Sequence, residues 1–269
     1  MFLDKLRAAS ERNHSLLCVG LDPDPELMPQ THAALFLQEI VEATADLVCA
    51  YKPNLAFFEA MGTGGMQTLL EGLRSVPEQI PIIADAKRGD IGNTGSAYAT
   101  ALFDVLGFDA ATVNPYLGGD SLAPFLERKD KGIFVLCRTS NPGAADLQDL
   151  LLADGRPLYQ AVAEKAQEWN KHGNVGLVVG ATYPKETTKI REICPDMTFL
   201  MPGIGAQGGD LSAGVRAALN SSGEGLIVSV SRQVLYASRG RDYAAAARRA
   251  AQELRGRINR ERETVLARR

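Results

Sequence analysis

The chain is expected to fold as a single-domain α/β protein, a (β/α)8 barrel of the TIM type. Three observations lead there. Eight short apolar runs, rich in Val, Ile or Leu, each end in Gly, Pro, Asn, Asp or another polar residue, as strands buried on both faces of a parallel sheet do. Segments with apolar residues three and four apart, the spacing of a helix face, lie between the runs. Eight such units in a chain of 269 residues is the arithmetic of a closed barrel.

In chain order the strand candidates are SLLCVGLD (15–22), LVCAYKPN (47–54), PIIADAKRGD (81–90), AATVNP (110–115), GIFVLCRTS (132–140), VGLVVGAT (175–182), TFLMPGIG (198–205) and GLIVSVSR (225–232). Each is too short for a buried helix. HAALFLQEIVEATADL, GNTGSAYATALFDVLG and PLYQAVAEKAQEWNKHG read as helices, the last closing on Gly. A short helix over about 2–13 is expected to close the barrel bottom. The segment from about 242 to 269 reads as the last barrel helix running into a solvated basic tail. An open doubly wound sheet is the alternative, weakened because no G-x-G-x-x-G follows the first strand.

Bulk properties narrow the function. The 45% hydrophobic content suffices for one sizeable core, and the net charge of −3 offers no basic field for nucleic acid or anionic membrane. No apolar run approaches the roughly 18 residues of a membrane span. The N-terminus lacks the apolar core of a secretory signal, so a cytoplasmic location is expected. Cys18, Cys49, Cys137 and Cys194 are far apart and the three histidines stand alone. Reduced, mostly buried thiols and no metal site follow.

In a barrel, active sites lie at the C-terminal strand ends. Those ends supply Asp22, Lys52, Asp85 with Lys87 and Asp90, Asn114, Ser140, Gln207 and Arg232. Side chains alternate along a strand, so Asp85 and Lys87 share a face and can both point into the mouth. Buried Asp and Lys are rare unless paired, and structural pairing alone is the bland reading of this cluster. PGIGAQGGD offers glycine amides and Gln207 to an anion. Arg232 at the next strand end has a planar fork that suits phosphate, at the loops where barrels frequently bind it.

LDPDP, YKPN, DAKRGDIGNT, VNPYLGGDS, RTSNPGA, PGIGAQGGD and SVSR, in this order, resemble the orotidine 5′-phosphate decarboxylase family in its longer bacterial subgroup. The D-x-K-x-x-D element is the most specific of these, and Gly92 fits the longer subgroup. The resemblance implies conversion of orotidine 5′-monophosphate to uridine 5′-monophosphate without metal or organic cofactor. It implies that Lys87 protonates C6 of the pyrimidine as carbon dioxide leaves, with Asp85 facing the substrate carboxylate. Lys52 and Asp90 would complete a Lys–Asp–Lys–Asp array. Asp22 and Lys52 would contact ribose, Ser140 the pyrimidine, and Gln207 and Arg232 the phosphate. Asp90 and Thr94 would reach into the neighbouring subunit's site of a homodimer. Two other readings compete. One is a magnesium-dependent sugar-phosphate decarboxylase or aldolase of the same superfamily, disfavoured because Lys52 stands where a metal-binding glutamate is needed and Glu59 falls in the next helix. The other is a phosphate-ligand binding protein, which has no reason to hold Lys87 between two acids.

Overall fold

The computed structural model describes residues 1–204 and 210–267. Each of the eight apolar runs contains one strand: β1 (Leu17–Gly20), β2 (Ala50–Lys52), β3 (Ile83–Arg88), β4 (Ala110–Val113), β5 (Gly132–Arg138), β6 (Val175–Val179), β7 (Phe199–Met201) and β8 (Leu226–Val230). They pair in parallel in the order β2-β1-β8-β7-β6-β5-β4-β3. The strands at the two ends of that order also meet. Tyr51 bridges Ile82 and Asn54 bridges Asp85, with the Tyr51 N–H on the Pro81 carbonyl at 3.0 Å and the Asp85 N–H on that of Pro53 at 2.9 Å. The sheet closes on itself and the open-sheet alternative falls. Closure also leaves no edge exposed to another chain among the described strands.

Helices alternate with the strands: α1 (Phe2–Asn13), α2 (Ala33–Thr44), α3 (Leu55–Glu59), α4 (Gly65–Leu73), α5 (Gly92–Thr100), α6 (Gly119–Leu126), α7 (Leu158–Trp169), α8 (Pro184–Ile193), α9 (Leu211–Ala218), α10 (Arg232–Leu235) and α11 (Tyr243–Ala267). No described helix is long and apolar enough to cross a membrane. All four cysteines are buried free thiols, and burial pushes the Cys18 thiol up to about 12.

Period-two alternation sorts the strand residues into two apolar groups. Leu17, Val19, Tyr51, Val135 and Val228 belong to the large cluster shared with the surrounding helices. Cys18, Ala50, Ile83, Ala110, Phe134, Val178, Leu200 and Ile227, one from each strand, form the barrel interior. Phe2 and Leu6 of α1 join that inner cluster. Phe2 meets Phe134 edge-on at 5.8 Å, and its N–H donates to the Asp130 carbonyl at 2.8 Å. The bottom of the barrel is therefore stoppered by an apolar helix face. At the other end of the chain, α11 buries Tyr243, Ala247, Ala251, Leu254 and Ile258. Beyond Ile258 it still pairs Glu261 with Arg216 and Arg262 with Glu224.

Candidate active site

The inward alternation that fills the barrel continues to its mouth with a change of chemistry. Two residues above Ala50, Ile83, Ala110 and Ile227 stand Lys52, Asp85, Thr112 and Ser229, and all four line a cavity of about 460 Å³. Across from them, Leu136, Val178 and Leu200 supply an apolar wall. Thr139, Ser140 and Asn141 after β5, Gly203 and Ile204 after β7, and Ser231 and Arg232 after β8 complete its rim. The cavity is thus charged on the β2–β4 side and apolar on the β5–β7 side. Such a space suits a flat ring that reacts along one edge.

Asp85 is the hub of the charged side. Its Oδ2 accepts from Lys52 Nζ at 2.8 Å, and its Oδ1 accepts from Lys87 Nζ at 2.6 Å and from the Thr112 hydroxyl at 3.0 Å. The Lys52 and Asp85 side chains are only 6% and 12% exposed, whereas that of Lys87 is 49% exposed. Burial works against ionising Asp85, but the charges and hydrogen bonds of Lys52 and Lys87 outweigh it and hold the carboxyl well below the ordinary range. Burial likewise opposes the charge on Lys52, yet Asp85 and Asp22 hold its ammonium above its usual value. Two cations share the Asp85 carboxylate, and Asp22 sets a second negative charge against Lys52.

Simple alternation is not what brings Asp85 and Lys87 together, contrary to expectation. The β3–β4 register slips between Ala84 and Arg88, and Lys87 takes φ 48°, in the left-handed region. That conformation costs a residue with a Cβ about 1–2 kcal/mol. Gly89 then lets the chain pass the Asn114 carbonyl, which a Cβ there would approach to 2.5 Å. Arg88 turns the other way, pairing with Glu59 at the end of α3. Glu59 is thereby committed to a cation beside the site.

The remaining expected residues divide into three groups. Asp22, Ser140 and Arg232 line the same cavity as Lys52, Asp85 and Lys87. Asp22 accepts the Asn54 N–H at 3.0 Å on Oδ1. Asp90, Thr94 and Asn114 are absent from that lining. Asp90 instead accepts the Ile91 N–H at 2.8 Å, and Thr94 is exposed on α5. Gln207 lies outside the described residues.

Several polar residues of the cavity are not among the expected ones, Thr112 and Tyr236 the most consequential of them. Thr112 sits two positions before the strand-end Asn114, at an inward position that period-two counting back from the mouth would have found. Tyr236 left no such signal. Its hydroxyl donates to the Asp22 carbonyl at 2.6 Å and accepts the Asp24 N–H at 2.6 Å, and its ring stacks on Phe36 at 6.0 Å. It ties the Asp22 loop to the segment that carries Arg232.

Ser140 depends on a close backbone approach. A Cβ on Gly180 would come within 2.7–2.8 Å of the Ser140 N, Cα and Cβ atoms, so even one methyl group forces the β5 loop outward. Gly180→Ala is expected to cost about 1–3 kcal/mol of stability by overpacking. Thermal melting reads this loss, and a wild-type melting temperature in the variant would mean that the loop yields to the methyl group without cost.

Comparison with known proteins agrees with this geometry. The profile of the orotidine 5′-phosphate decarboxylase / HUMPS family matches residues 15–250. The orotidine 5′-phosphate decarboxylase of Roseiflexus sp. strain RS-1 is 57% identical over 265 residues, spanning 96% of this chain and 97% of that one. The enzyme of the same name from Herpetosiphon aurantiacus is 54% identical over 259 residues, spanning 94% and 96%. The structure of Leishmania donovani OMP decarboxylase superposes with a TM-score of 0.87 at 46% identity, covering 97% of this chain and 98% of that one. With a matching barrel, a matching profile and relatives aligned over nearly their whole length, the chain belongs to the orotidine 5′-phosphate decarboxylase / HUMPS family.

Proposed function

We propose that this protein decarboxylates orotidine 5′-monophosphate to uridine 5′-monophosphate in pyrimidine biosynthesis, in the cytoplasm, with Lys87 as the proton donor. The observation that carries the reading is the Lys52–Asp85–Lys87 array, joined by 2.8 and 2.6 Å hydrogen bonds on one wall of the cavity. In the reaction the C6–carboxylate bond breaks, its electron pair stays on C6, and carbon dioxide leaves. An N–H of the Lys87 ammonium then delivers the proton, and uridine 5′-monophosphate remains.

The ring offers that electron pair no ordinary resonance sink, so on the order of 20 kcal/mol of barrier must be removed. Repulsion between Asp85 and the substrate carboxylate is a small part of this. Two like charges about 4 Å apart interact by roughly 4 kcal/mol at an effective dielectric of 20, and Asp85 is already neutralised by two ammonium groups. The larger contribution is the fixed ammonium of Lys87, whose attraction grows as negative charge builds on C6. Asp22 and Lys52 bind ribose, Ser140 meets the pyrimidine, and Arg232 takes the phosphate with Gln207. Binding energy from the phosphate, remote from C6, serves to orient the ring and exclude water.

The test is direct: the protein is mixed with orotidine 5′-monophosphate in the presence of a chelator and the ultraviolet absorbance is followed. Conversion without added metal is the expected result. No conversion at high enzyme concentration, or dependence on magnesium, overturns the reading.

Asp90 completes the array from the neighbouring subunit, with Thr94 beside it, in a homodimer. Ile91, Tyr98, Tyr116 and Leu117, close to these two residues in sequence or on the adjoining β4 loop, are exposed apolar side chains of the kind a subunit interface covers. Lys87→Ala and Asp90→Ala, each inactive alone, are expected to recover about one quarter of wild-type activity when mixed and allowed to exchange subunits. Half the dimers are then mixed, and each mixed dimer holds one intact site. No recovery, with exchange verified by mass, would mean that each site is built from one chain.

A further inference from the structure

Ala84 pairs with Ala111 and Arg88 with Val113, so β3 carries three residues where β4 carries one. The β4 residue in that gap is Thr112, 2% exposed. A bulge of this kind leaves amides without a ladder carbonyl, and a buried N–H needs an acceptor. Thr112 Oγ1 accepts both of the displaced amides, from Ala86 at 3.1 Å and from Lys87 at 3.0 Å. Its own proton goes to Asp85 Oδ1 at 3.0 Å. A hydroxyl has one donor and two acceptor sites, and here all three are spent on residues 85, 86 and 87.

We infer that Thr112 is a positioning residue for the reaction: its hydroxyl holds the β3 bulge and thereby aims the Asp85 carboxylate and the Lys87 ammonium. This role rests on the decarboxylase reading above. The Thr112 hydroxyl accepts the amide of Lys87, the residue whose left-handed backbone carries the ammonium bonded to Asp85. Valine matches the shape of threonine and makes none of the three bonds, whereas serine can make all of them. A threonine kept for packing alone would tolerate valine at least as well as serine.

Steady-state kinetics with orotidine 5′-monophosphate on wild type, Thr112→Val and Thr112→Ser test this. The valine variant is expected to lose about 10- to 100-fold in kcat, the scale of a small misplacement of reacting groups, with KM little changed and kcat largely restored by serine. A crystal structure of Thr112→Val should show Lys87 out of the left-handed region and its Nζ drawn away from Asp85. Wild-type kcat in the valine variant, or equal losses in valine and serine, overturns the role of Thr112 while leaving the function intact. If wild type itself fails to turn over the nucleotide, the function reading falls. The structure then still decides, because an unmoved Lys87 in the valine variant sinks the positioning role. Should the valine chain not fold, Thr112→Ala, where water can replace the lost hydroxyl at the two amides, carries the same measurements.

Discussion

Lys87→Ala is expected to abolish turnover, lowering kcat on the order of 10⁵-fold, while uridine 5′-monophosphate still binds. Two losses combine. A positioned general acid contributes roughly 10²–10⁴-fold, and a charge aimed at the developing anion contributes roughly 10²–10³-fold more. Ground-state affinity should change far less, because Asp22, Ser140 and Arg232 still line the cavity. The fold should also survive, since half of the Lys87 side chain faces solvent and its removal relieves a hydrogen bond that Asp85 can replace with water. Turnover followed by ultraviolet absorbance, together with calorimetric titration of the product, separates these effects. A variant that binds and still turns over at a tenth of the wild-type rate would remove Lys87 from the chemistry.

Asp85→Asn strikes both stability and catalysis. Lys52 is buried, and its strong partner is the Asp85 carboxylate. Removing one partner of a buried ion pair leaves an uncompensated charge and typically costs about 3–5 kcal/mol. Turnover should drop on the order of 10³-fold as the ammonium of Lys87 loses the group that fixes it. The pH dependence of stability gives a sharper signature. The folded state holds the Asp85 carboxyl below its ordinary range, so it binds fewer protons there than the unfolded chain does. This contribution is fully present above an unfolded pKa of about 4 and is lost as pH falls through the lower folded value. The gap in denaturant midpoint between wild type and Asp85→Asn should therefore be widest near neutrality and narrow steadily below about pH 4. A gap independent of pH would mean that Asp85 is not held by the two lysines in solution.

Much of this molecule is legible in one dimension. Every barrel strand lies inside an apolar run, because burial on both faces demands uninterrupted Val, Ile and Leu over a handful of residues. Asp22, Lys52 and Arg232 are legible as the polar residues that end their runs, since the closed barrel gathers those ends at one mouth. D-x-K-x-x-D, PGIGAQGGD and SVSR, in that order, resemble the family whose profile matches the chain.

Tertiary structure alone decided how the charged wall is aimed. The bulge between Ala84 and Arg88, the left-handed Lys87 and the triple hydrogen bonding of Thr112 all arise from pairing β3 with β4. Neither strand's own pattern encodes that register. Tyr236 reaches the Asp22 carbonyl across 214 residues of sequence, a contact that exists only once β8 has closed against β1. Periodicity is a local consequence of burial and can be read along the chain. Register and long-range hydrogen bonds are consequences of which strands meet, and they come into being only when the barrel shuts.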